Sequence, residues 1–291
     1  MTLASLIPLL AKVSIILFVF AIGLKASFSE LTYLFRRPRL LARALASMYV
    51  LMPLFALGVA ATFDLHPAVK IALVALSVSP IPPILPKKAL KAGGQENYTI
   101  GLVVGTALLS VIIVPISMKA FEAITGVQLI MRPVAVAMLV MTSVLAPMVV
   151  GVVVRALFPA AEKAARPISV LASVLLLLAV LPILSVSFKA ILSLVGDGTM
   201  FALGAFAICG LMVGHLLGPD RDDREVLALS TATRHPAVAI AIANTNFPGQ
   251  KLVAPAVLLY LLISAFVSAP YLLWNKRSKA TSTAHANEAK A

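Results

Sequence analysis

The sequence predicts an all-α polytopic membrane protein of nine transmembrane helices, arranged as an inverted repeat of two four-helix units. Three observations carry that prediction: the apolar content, the spacing of the apolar runs, and two runs that are interrupted near their midpoints. Of 291 residues, 61% are hydrophobic, and the mean hydropathy is +1.03. A soluble domain of this size has no interior large enough for that much apolar surface, whereas a bilayer removes the need to hide it.

A helix of about 20 apolar residues crosses a bilayer. Nine such runs follow one another, over residues 4–25, 41–62, 69–92, 98–119, 133–157, 167–187, 200–217, 224–245 and 252–274. The first has neither the basic leader nor the small-residue cleavage site of a secretory signal, so it is expected to be a retained span. Residues 1–275 are expected to form a single transmembrane domain, followed by a disordered cytoplasmic tail over 276–291.

The net charge of +13 would point to nucleic acid in a soluble protein. Here the basic residues sit between apolar runs, so membrane topology accounts for them and no nucleic-acid partner is expected. Taken alternately, the loops on one side hold Lys25, Arg36, Arg37, Arg39, Arg43, Lys87, Lys88, Lys91, Arg155, Lys163, Arg166, Arg221, Arg224, Lys276, Arg277, Lys279 and Lys290. The other side holds only Lys70, Lys119, Arg132, Lys189 and Lys251. Basic loops stay in the cytoplasm, which predicts an external N-terminus and an internal C-terminus. Lys12, within the first span, is expected to snorkel outward. The single cysteine, Cys209, has no disulfide partner or metal-ligand spacing and reads as a small packing residue.

The third and eighth spans are chemically unlike the others. The third contains Ser79-Pro80-Ile81-Pro82-Pro83-Ile84-Leu85-Pro86 and the eighth contains Thr233-Arg234-His235-Pro236. They lie five spans apart and so run in opposite directions, each third in its unit of four, with the fifth span as connector. That pattern predicts two broken helices meeting near the bilayer midplane. Proline lacks an N–H and crowds the carbonyl four residues earlier. Pro80, Pro82 and Pro83 would therefore free the carbonyls of Leu76, Val78 and Ser79, and Pro236 that of Ala232. Free carbonyls are costly in hydrocarbon unless protein, water or a ligand meets them, and a cavity between the breaks would serve.

Arg234 is the sharpest single residue, a permanent charge at mid-membrane with no Asp or Glu near the middle of any span. Two readings stand: a fork that receives a carboxylate, or a brace that ties together the freed carbonyls. His235 reads either as a proton site or as a hydrogen-bonded core residue beside a like charge. Ser79, Thr106, Ser110, Ser230, Thr231, Thr233, Asn244 and Asn246 could bond a substrate or their own helix backbone. The candidate substrate-binding set is Arg234, His235, Thr233, Pro236, Ser79, Pro80, Pro82, Pro83, Thr106, Thr231 and Asn244, with Thr106 and Ser230 as candidates for an ion. Gly101-x-x-x-Gly105 permits close packing.

Nothing resembles a P-loop, a catalytic triad or a zinc motif, so neither an enzyme nor a resident cofactor is expected. The lack of a mid-membrane carboxylate argues against a cation/proton antiporter. No loop is long enough for a soluble signalling domain, which argues against a receptor.

Several stretches, in order, resemble the bile acid:sodium symporter family, whose bacterial members carry varied organic anions. They are Ala21-Ile22-Gly23-Leu24-Lys25 running into Phe35-Arg36-Arg37-Pro38, Met52-Pro53, Ser79-Pro80 through Lys87, Lys91-Ala92-Gly93-Gly94, Ala146-Pro147 through Gly151 to Arg155, and Pro236-Ala237-Val238-Ala239. The resemblance implies a secondary active transporter of a small organic anion, a carboxylate, in a bacterial inner membrane. It also implies a panel of spans one, five and six, against which a core of spans two, three, four, seven, eight and nine rocks. Substrate would bind between them, near the crossing of spans three and eight.

The departures from the family pattern concern sodium. Sodium-coupled members carry a Ser-Asn pair just after the first break, where this chain has Leu85 and Pro86. Their Glu and Gln before the second crossover correspond to Ser230 and Arg234, and a Gln of the second core helix falls near Met48. Thr106 still matches. A fixed cation at Arg234 would repel sodium nearby, which speaks against ordinary sodium coupling. Coupling to Na+ or H+, uncoupled carriage and export stay open, as does the oligomeric state.

Overall fold

The computed structural model describes residues 3–82, 84–91, 93–126, 133–218 and 220–288, and among these there is no β-strand. Among the described residues, eight stretches of helix are long and apolar enough to cross a membrane. The third predicted span, 69–92, instead falls on the shorter apolar helix Pro67–Val78 and the helix after it, which the break keeps apart. The chain is thus a multi-pass α-helical membrane protein.

The first span, α1 (Leu3–Gly23), is followed by the short α2 (Phe28–Leu31). The second is α3 (Pro38–Leu45), a π-helical turn over Ala46–Leu51 and α4 (Met52–Thr62) in one continuous rod. Next come α5 (Pro67–Val78), α6 (Leu85–Lys91) and α7 (Glu96–Thr125). The fifth span repeats the design of the second, with α8 (Pro133–Val140), a π-helical turn over Met141–Leu145 and α9 (Ala146–Leu157). A 3-10 turn, Pro159–Ala164, leads into α10 (Ala165–Leu192). The chain closes with α11 (Thr199–Leu217), α12 (Arg221–Ala232), α13 (Pro236–Asn246) and α14 (Val253–Glu288). The helical backbone of α14 continues through Glu288.

Local chemistry explains where these helices start, stop and widen. Pro38, Pro67 and Pro236 sit in first turns, where a missing N–H costs nothing. His66 accepts the Ala68 N–H at 3.1 Å and caps α5. Gly126, with φ of 70°, closes α7 in the left-handed conformation. Both π-helical turns lie just before a proline, Pro53 and Pro147, where the helix widens to accommodate a ring that cannot donate.

Packing separates a lipid-facing layer from a buried one. In α10, Val170, Leu171, Val174, Leu178 and Leu181 are each about half exposed, an apolar face that only lipid or another membrane helix can cover. α1 lies along α10 and α9, and Ser14 Oγ donates to the Ala172 carbonyl at 2.7 Å. Small residues set the approach of α1 to α9, since a Cβ on Gly151 would sit 2.5 Å from the Phe20 carbonyl oxygen. The buried layer centres on α5, which packs on α4, α13 and α14, while α11 packs on α12. Gly101 and Gly105 pack against Leu34 and its backbone rather than against another spanning helix.

Candidate functional site

The site grows out of prolines. Each mid-membrane proline leaves a carbonyl without its ordinary donor, and four of these carbonyls have partners elsewhere in the fold. Pro80 orphans the Leu76 carbonyl, which accepts from the Ser79 N–H at 3.1 Å and from Ser79 Oγ at 2.9 Å. Pro236 orphans the Ala232 carbonyl, which accepts from the Tyr260 hydroxyl and, at 3.1 Å, from Ser264 Oγ. Pro83 cannot donate to Ser79, and the Ser79 carbonyl instead accepts from Arg234 Nη1 at 3.2 Å.

The fourth carbonyl belongs to Met48, in the π-helical turn of the second span. In that turn the Met52 N–H bonds to Ser47, one residue further back than in an α-helix. Continuing that register, Met48 would need the N–H of residue 53, which is proline. Its carbonyl accepts from Arg234 Nη2 at 2.8 Å. Protein donors meet these four carbonyls directly, because hydroxyls and a guanidinium lie within reach.

The two breaks touch at the backbone, where the His235 N–H donates to the Pro80 carbonyl at 2.9 Å. Ser79, Pro80, Pro82 and His235 are buried, and Arg234 has no exposed surface at all. Among the described residues no carboxylate pairs with Arg234, and its Nε has no hydrogen-bond partner. Thr233 Oγ1 and both ring nitrogens of His235 are likewise buried without a partner. Three consecutive residues at the second break thus carry polar atoms that nothing among the described residues satisfies. Such groups are costly in a low-dielectric interior and mark a place that receives a ligand or water.

The remaining candidates divide. Thr231 Oγ1 lies 2.6 Å from Ser47 Oγ and bonds its own Leu227 carbonyl at 2.8 Å, which joins α12 to the second span beside Arg234. Pro236 is half-buried at the start of α13. Thr106 and Ser230 are buried, and each hydroxyl donates to the backbone of its own helix, to Leu102 and Val226 at 2.7 Å. Ser110 does the same with Ala107, and Asn246 with Ile242. Asn244 faces outward from α13, away from the crossing. Pro83 lies outside the described residues. Lys12 is exposed on α1, in keeping with snorkelling.

Tyr260, Ser264 and the Met48 carbonyl belong to the site and escape a reading by residue type alone. A signal existed for the first two: Tyr260, Ser264 and Ser268 recur every four residues and so share one face of α14.

Two discontinuous helices that touch at their breaks, inside an all-helical membrane protein, define the class as a polytopic membrane transporter. The chain belongs to the Sodium Bile acid symporter family, whose pattern matches residues 12–194. That match takes in the first break and the Met48 turn and ends before α11, so Arg234 and the second break lie beyond it. None of the curated proteins compared with the chain matches it. Membership makes this a transporter of the bile acid and organic-anion type rather than a member of an enzyme family.

Proposed function

We propose that the protein is a secondary active carrier of a small organic anion, a carboxylate, working by alternating access between a panel and a core. The observation that carries this reading is the buried Arg234 charge, which no carboxylate of the described chain compensates. A positive potential sealed in low dielectric attracts an anion to the crossing. Arg234 braces the two breaks through its terminal amines, which the Met48 and Ser79 carbonyls occupy. Direct polar contact near the crossing then falls to Arg234 Nε and the side chains of Thr233 and His235, which lack partners among the described residues.

The panel comprises α1, α8–α9 and α10, in line with the close packing of α1 on α9 and α10. The other spans form the core, with the breaks related by an inverted repeat of spans 1–4 and 6–9. Loop charge supports an inner-membrane location with the N-terminus outside and the C-terminus in the cytoplasm. Coupling is to protons or absent, because the guanidinium occupies oxygens a sodium ion would need. The test is uptake of radiolabelled monocarboxylates into proteoliposomes by the wild type and Arg234→Gln, with folding checked by monodispersity. Wild-type vesicles should accumulate label and the variant should not; equal uptake by a folded variant would remove Arg234 from the mechanism.

A further inference from the structure

Arg234 is sealed inside the protein, so a substrate must first be received by some other group on its way to the crossing. A crevice of about 470 Å³ opens beside the first break, between α6 on one side and α1 and α10 on the other. Its volume falls in the range of small-molecule sites. Phe18, Ile84, Leu176, Leu177 and Val180 make most of its wall, Ser173 lies across it, and Lys88 is the one charged side chain among the described residues that line it. Lys88 sits one turn after Ile84 on the arm that leaves the break and is half-buried. Among the described residues it has neither an ion-pair nor a hydrogen-bond partner.

We propose that Lys88 and this crevice form an anion-receiving site for a monocarboxylate with an apolar body. The carboxylate meets the ammonium and the body lies against the Phe18 and Leu177 side of the wall. This deepens the carrier reading and rests on it. Four points support a ligand over an ordinary surface lysine. Lys88 lines a mostly apolar wall with no acidic residue among the described lining, so no carboxylate there compensates its charge. The crevice separates the proposed panel from the proposed core, where a carried molecule must pass. It is continuous with the arm whose first turn follows the Pro80–His235 contact. Its described wall, one cation among mostly apolar side chains, suits a single negative charge on an apolar body.

The site is tested with full-length protein in phosphatidylcholine nanodiscs, reading the thermal midpoint against benzoate, its neutral isostere benzamide, and citrate. Benzoate should stabilise the wild type and Lys88→Arg; benzamide and citrate should not. Lys88→Gln should raise the apparent Kd for benzoate by about tenfold or more, the loss expected for a charge-assisted hydrogen bond. Benzoate binding that ignores Lys88→Gln, or no benzoate binding by the wild type, overturns the site. So does stabilisation through Lys88 that phosphatidylglycerol produces and benzoate does not, which makes the occupant a lipid headgroup. Intact Lys88-dependent binding without carboxylate uptake by the wild type would sink the carrier reading and leave this site standing.

Discussion

Arg234 Nη2 lies 2.8 Å from the carbonyl oxygen of Met48, a contact that joins the second break to the π-helical turn of the second span. Both ends of it trace to backbone defects. Pro53 and the widened turn leave the Met48 carbonyl without a donor, and the interruption before Pro236 frees Arg234 to reach it. The same guanidinium takes the Ser79 carbonyl of the first break through Nη1. A planar fork can serve two carbonyls at once, which a lysine ammonium does far less well.

Replacement of Arg234 by lysine should therefore keep the charge and lose the brace. One of the two carbonyls is left unpaired, at a cost of about 1–3 kcal/mol. A lower thermal midpoint for purified Arg234→Lys, with carboxylate uptake still detectable, is the expected result. An unchanged midpoint would show that the carbonyl bonds contribute nothing to stability.

The Ala232 carbonyl offers a cleaner test of how freed backbone groups are met, since two hydroxyls share it. Tyr260→Phe alone leaves Ser264, and Ser264→Ala alone leaves Tyr260. Each single change should cost at most about 1 kcal/mol, whereas the pair strands a buried acceptor and should cost more than the sum by roughly 1–2 kcal/mol. A double-mutant cycle on thermal midpoints measures that excess, and strict additivity would mean another donor steps in.

How much of this was legible beforehand varies with the physics. Hydropathy locates the spans because bilayer thickness imposes a length on every crossing helix. Prolines locate the breaks because a missing N–H is a property of the residue itself. Leu76, Ser79 and Ala232 could be named as freed acceptors for that reason. Tyr260 and Ser264, which donate to the Ala232 carbonyl, could not, nor could Met48, a further acceptor for Arg234. All three meet the breaks through tertiary contacts, and only the four-residue recurrence on α14 hints at the two hydroxyls. Arg234 drew both a ligand reading and a brace reading, and the carbonyl bonds establish the brace. Lys88 counted only as a topological charge, because loop arithmetic does not tell which face of α6 it occupies.

Helix contact predicts opposite outcomes for one substitution at two places in α11. A Cβ on Gly214 would lie 2.5 Å from the Leu227 carbonyl oxygen and from the Ala228 Cα, both backbone atoms of α12 that cannot turn aside. Gly204 has nothing within 4 Å of such a Cβ. Gly214→Ala should cost about 1–3 kcal/mol by forcing the helices apart. Gly204→Ala should be neutral or gain up to about 1 kcal/mol through helix propensity. Comparison of the two variants by thermal unfolding in one detergent decides the matter; equal behaviour would mean that the α11–α12 contact is looser than the geometry shows.

Sodium dependence is the sharpest expectation for transport itself. A sodium ion at the crossing would need several oxygens and would have to tolerate a guanidinium beside it. The Met48 and Ser79 carbonyls already accept from Arg234, the Pro80 carbonyl from the His235 N–H, and the Ala232 carbonyl from Tyr260 and Ser264. The Thr106 and Ser230 hydroxyls are engaged by their own helices. Like charges in low dielectric repel strongly, so the fixed cation excludes the mobile one. Carboxylate uptake into proteoliposomes should then proceed equally well when choline replaces sodium on both sides, and Thr106→Val and Ser230→Ala should leave that independence intact. A steep dependence of uptake on sodium would place the ion elsewhere in the fold and require Arg234 to be a brace without any part in coupling.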